Sequence, residues 1–148
     1  MADTRVQTAI EDWVRREWMP KKYGHRFHRE RVQLSSGGVF DFDAVSQDHS
    51  IVASISTSGG KTASGKLGVG KLNKLRSDMF FLLLATAKRR IMVLTEPDMY
   101  ELCRKEVQGG RVPKSIEFVV AELPAALAAQ LAKAREVASK EVSPSRRR

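Results

Sequence analysis

Residues 37–57 read GGVFDFDAVSQDHSIVASIST, two short runs separated by Gln47-Asp48-His49-Ser50. From Val39 to Ser46 the residues alternate strictly, Phe40, Phe42 and Ala44 on one side and Asp41 and Asp43 on the other, which is the period of a half-buried strand. Ile51 to Thr57 is rich in β-branched residues and predicts a second strand, so the polar tetrapeptide between the runs closes a hairpin. A turn about Asp48-His49 sets Asp43 opposite Ser54 and Asp41 opposite Ser56. On that register Phe40, Phe42, Ala44, Ile51, Ala53 and Ile55 fill the core, and Asp41, Asp43, Ser54 and Ser56 share the other face. Two carboxylates and two hydroxyls on one face are a candidate site; the plainer alternative is a solvated sheet face.

Upstream, Ser35-Ser36-Gly37-Gly38 is a turn by composition, and His25 to Leu34 alternates well enough to complete a three-stranded antiparallel meander. Before it, Val6, Ile10, Trp13, Val14 and Trp18 recur on one helical face, with Thr4 as cap, Gln7 as its reciprocal partner and Pro20 as the stop. Downstream, the period switches. Leu72, Leu75, Met79, Leu82 and Leu83 mark a helix in KLNKLRSDMFFLLLATAKRR, Ile91 to Leu94 a strand, and Met99, Leu102, Cys103 and Val107 a helix capped by Thr95 and closed by Gly109-Gly110. Ile116 to Ala121 adds a fifth strand, and Pro124 opens a last, alanine-rich helix with Leu127, Leu131 and Ala134 inward. The expected fold class is α/β: a mixed sheet with an α-β-β-β-α-β core and a C-terminal α-β-α extension, one domain over residues 1–142 followed by a loose basic tail, 143–148.

With 148 residues, 42% hydrophobic and 29% charged, the chain has the makings of one packed core and is neither disordered nor disulfide-dense. Its longest apolar run, Met79 to Ala85, is far short of the roughly 20 residues a membrane-spanning helix needs. MADTRVQTAIEDW lacks the basic start and apolar stretch of a secretory signal, and Cys103 is the single cysteine, so a cytoplasmic, reducing setting is expected. Lys and Arg number 26 against 17 acids, a net charge of +9, which points to a polyanionic partner. Lys61, Lys66, Lys71, Lys74 and Arg76 lie between Thr57 and Arg76 without one acid among them, and these five are the candidate nucleic-acid contacts.

The Asp-bearing strand followed by a tight hairpin resembles the PD-(D/E)xK nuclease superfamily, the restriction-endonuclease-like fold. That core runs α-β-β-β-α-β, with a metal-binding Asp on its second strand and E-x-K on its third. GGVFDFDAVS is similar to the Asp strand, with Asp43 in the place of the metal-binding acid, and IVASIST stands where E-x-K would be. The resemblance covers roughly Thr4 to Leu94. It implies that Asp43, Ser54 and Ser56, with Lys61 brought in from the glycine-rich loop, occupy the catalytic positions, and that Asp43 and Asp41 would hold a divalent cation, Mg²⁺, were the site active. The departure is that Ser54 replaces the Glu and Ser56 the Lys. Either the site is lost and the fold serves binding, or the missing groups come from elsewhere; Asp41, Glu17, Lys61 and Lys66 are the candidates.

Other chemistries fit less well. Gly60-Lys61-Thr62 and Gly60-x4-Gly65-Lys66 each break the phosphate-cradling P-loop pattern, at Ile55 and Leu67 respectively. One cysteine and three histidines lack a zinc ligand set, and Ser54, His49 and Asp43 lack the strained elbow of a hydrolase. The expectation is thus a nucleic-acid-binding domain, DNA first, with a nuclease-like fold and a degraded metal site. The alternatives are an active metal-dependent nuclease rearranged around Asp43, or a module that meets an acidic protein.

Overall fold

A computed structural model describes residues 4–61 and 68–142, with side chains to Ala138. Helix α1, Arg5–Trp13, passes into a π-helical turn, Val14–Trp18, and resumes as α2, Met19–Tyr23. The expected stop at Pro20 is therefore corrected: Pro20 stands in the first turn of α2, just after the π-helical segment, and Gly24, at φ 74°, ends the helix instead. Among the described residues, Thr4 makes no side-chain cap and the buried Oε1 of Gln7 has no hydrogen-bond partner. Strands β1, β2 and β3 span Phe27–Gln33, Val39–Ser46 and Ile51–Ser56. Then follow α3 (Val69–Leu84), β4 (Arg89–Leu94), α4 (Pro97–Gln108), β5 (Ile116–Val120) and α5 (Ala125–Val142).

The five strands form one mixed sheet in sequence order, antiparallel across β1, β2 and β3 and parallel from β3 to β5. Both faces are covered. On one, Ile10 and Val14 and, from α5, Leu131 close over Ala44, Ala53, Ile55, Ile91 and Val93. On the other, Leu75, Met79 and Leu82 of α3 and Met99 and Cys103 of α4 close over Phe42, Val45, Val52, Met92 and Leu94. Burial pushes the Cys103 thiol up to about 11, with Glu106 adding to it, as suits a core cysteine. Phe80 and Leu83 face outward, at 57% and 39% exposure, so the inward placing of Leu83 is corrected as well.

Beside its turn the hairpin has the expected register, Ala44 opposite Ala53 and Val45 opposite Val52, but the expected pairs Asp43–Ser54 and Asp41–Ser56 do not form, because the strands separate beyond Ala44 and Ala53. The Asp48 carboxylate holds its turn, accepting from the Oγ–H of Ser46 and from both N–H and Oγ–H of Ser50, which keeps its pKa well below the carboxylate range. The expected single core face fails. Against β1, the register steps from His28↔Val45 to Glu30↔Phe42, so β2 carries one residue more than β1 over that stretch, a β-bulge at Asp43-Ala44. The bulge flips the alternation: Phe42 packs with Val45 and Val52 under α3, while Ala44 and Ala53 lie under α1. Ser54, expected on an open face, is buried.

Candidate functional site

The bulge also parts two strands. Past Ala53, β3 continues on β4, with Ser54↔Met92 through Ser56↔Leu94; below Ala44, β2 continues on β1, with Glu30↔Phe42 through Gln33↔Val39. Asp43 spans the opening, its Oδ2 accepting the Ile55 N–H at 2.8 Å in place of a ladder carbonyl. A cleft of about 700 Å³ opens there between β2, β3, α1 and α3.

Four carboxylates line it: Glu11 from α1, Asp41 and Asp43 from β2, and Asp78 from α3. Arg15, buried in the π-helical turn, ties α1 to the bulge. Its Nε donates to the Asp43 carbonyl at 2.7 Å, Nη1 donates to Asp12 at 2.7 Å, and Nη2 lies 3.7 Å from Glu11. Arg29, on β1 opposite the bulge, points one nitrogen between two acids, 3.9 Å from Asp43 Oδ1 and 4.0 Å from Glu11 Oε2. Arg31 pairs with Asp41 at 3.3 Å, and Lys74 with Asp78 at 3.9 Å. Burial, then the Asp43 charge, raises the pKa of Glu11 against the pull of Arg15, Arg29 and Lys74. Burial likewise raises Asp78, opposed by Lys74 and reinforced by Asp43.

Of the residues singled out in the sequence, Asp41, Asp43, Ser54 and Lys74 meet in this cleft. Ser56 does not line it; its Oγ accepts the Ser58 N–H. Lys61 lines a different depression, beside Asp98, Glu101 and Lys105, and its carbonyl accepts from Lys71 Nζ. Arg76 is spent on Asn73 and on Glu106 of α4, and Lys66 lies outside the described residues. Gly60 rests on the start of α4, where a Cβ would stand 3.1 Å from the Asp98 carbonyl oxygen, a close approach to backbone that a glycine relieves. Glu17 is exposed and absent from the cleft lining; the helical acid that enters is Glu11.

Carboxylate oxygens are the donors a hard divalent cation takes. Their spacing here does not suit one: among the described residues no group of three His, Cys, Asp or Glu side chains is arranged to hold a metal ion, and Arg29 stands between Glu11 and Asp43. The fold and site define an α/β domain with a five-stranded mixed sheet and a charged cleft where two of its strands part. Comparison with protein-family models, curated proteins and solved structures finds no match to this chain.

Proposed function

We propose that this is a nucleic-acid-binding domain on a restriction-endonuclease-like plan, which takes the phosphodiester backbone, of DNA in the first instance, into the cleft between β2 and β3. The observation that carries the reading is the exposure of Arg29, Arg31 and Lys74, with side chains 59%, 69% and 76% accessible around one opening. Three reachable cations at a concave site, on a chain of net charge +9, suit a polymer with one negative charge per about 1.7 Å of duplex. The element order α-β-β-β-α-β and an Asp on the second strand beside the opening agree with the resemblance. The test is fluorescence anisotropy with a labelled random-sequence duplex as salt rises. Binding should weaken steeply, and Arg31→Ala with Lys74→Ala should lower the log–log slope by about 0.9 for each lost phosphate contact. No binding at low salt refutes the reading in favour of an acidic protein partner.

A second reading, an active nuclease, has its own observation: α1 and α3 bring Glu11, Asp78 and Lys74 to the cleft of Asp43, two acids and a lysine of the kinds that positions 54 and 56 lack. Plasmid cleavage in Mg²⁺ that Asp43→Ala abolishes would establish it.

A further inference from the structure

We infer that the cation of this cleft is built into the chain: Arg29 stands where a divalent ion would have to sit, so the phosphodiester is bound without metal. The inference rests on the nucleic-acid reading above and specifies its chemistry.

Charge pairing is the first support. Asp41 has Arg31, Asp78 has Lys74, and Glu11 and Asp43 share Arg29, while Arg15 also reaches Glu11. Each of the four carboxylates that line the cleft thus has a cation of the chain itself within 4.0 Å. A metal site of carboxylates depends on the opposite condition, an excess of negative charge that only the ion relieves.

The second support is the difference between the two arginines on the Glu11–Asp43 pair. Arg15 is buried and committed, with one hydrogen bond to a backbone carbonyl and one to Asp12, so it positions the acids. Arg29 is half exposed, and both its carboxylate contacts exceed hydrogen-bond length. Its guanidinium can therefore turn a paired N–H edge toward a phosphate while staying within Coulombic reach of Glu11 and Asp43. Its side chain is 59% accessible against 28% for Glu11 and 23% for Asp43, so it is the most reachable group of the three. Without Arg29, Glu11 and Asp43 would lose the cation they share, and an added divalent ion could then take its place.

Anisotropy with a short fluorescein-labelled duplex, in EDTA and then in Mg²⁺, tests this on the full chain. The wild type should bind in EDTA and gain nothing from Mg²⁺. Arg29→Gln should bind about tenfold more weakly in EDTA, a loss of about 1.4 kcal/mol, with the salt slope reduced by about 0.9, and Mg²⁺ should restore part of that loss. A wild type that requires Mg²⁺ to bind overturns the inference without any variant, as does an Arg29→Gln protein that binds as well as the wild type in EDTA. A wild type that binds in neither buffer overturns the nucleic-acid reading itself, and this inference with it.

Discussion

Asp43 serves two ends at once, and substituting it separates them. Its Oδ2 accepts the Ile55 N–H where β2 and β3 part, and its charge presses on Glu11 and Asp78. Asp43→Ala removes the acceptor and leaves the N–H of a buried residue unsatisfied, Ile55 being 6% exposed. A hydrogen bond to a charged acceptor contributes about 1.5–3 kcal/mol. At roughly 2–4 °C per kcal/mol for a chain near this size, Tm should fall by about 3–12 °C. Asp43→Asn keeps a carbonyl oxygen that can accept from Ile55, though a neutral one, and discards the charge that opposes ionisation of Glu11 and Asp78, so its Tm should fall clearly less than that of Asp43→Ala. Thermal melts followed by circular dichroism at neutral pH distinguish the two. Equal falls for Asn and Ala, or none for either, would refute the role given to the Ile55 contact.

The raised pKa values of Glu11 and Asp78 carry a definite sign. A carboxyl whose folded pKa lies above its unfolded one favours the folded state fully below the unfolded pKa, and that advantage is lost as pH rises through the folded value. Glu11→Gln and Asp78→Asn should therefore raise stability at neutral pH, with a gain that shrinks to nothing below the ordinary carboxylate values of 4.5 and 3.8; urea unfolding from acid to neutral pH measures it. Gly60→Ala should cost about 1–3 kcal/mol in the same unfolding experiment, because its Cβ would press on the backbone of Asp98 and Met99 at 3.1–3.3 Å.

Much of the fold was legible because local chemistry and global pairing agree over Val39 to Ile55: strict alternation, a turn held by Asp48, and β-branched residues beyond it. The Ala44↔Ala53 register followed from those alone. The faces did not, because the bulge at Asp43-Ala44 carries no glycine or proline to announce it, and one extra residue moves Phe42 to the opposite side from Ala44. The site was half legible for a related reason. Asp41, Asp43, Ser54 and Lys74 are named from position, whereas Glu11, Arg29 and Asp78, on α1, β1 and α3, reach the cleft only through tertiary packing. Glu11 with Arg15 and Lys74 with Asp78 are charged pairs four residues apart, each flanking a buried stripe, Ile10 and Val14 in one case and Leu75 and Met79 in the other. That pattern, an ion pair at the margin of an apolar face, was the available signal. Glu17 gave a false one: the π-helical turn Val14–Trp18 re-phases the helix and leaves it exposed.

Titrating a short DNA duplex into ¹⁵N-labelled protein, and following backbone amides and arginine Nε–H signals, places the bound backbone on the molecule. Binding in the cleft predicts that the largest shifts fall on Phe40, Asp41, Ser54 and Ile55, on the Nε–H groups of Arg29 and Arg31, and around Lys74, the residues that line the opening between β2 and β3. Shifts that saturate instead along α4 and α5, with Ile55 and Arg29 unmoved, would contradict it.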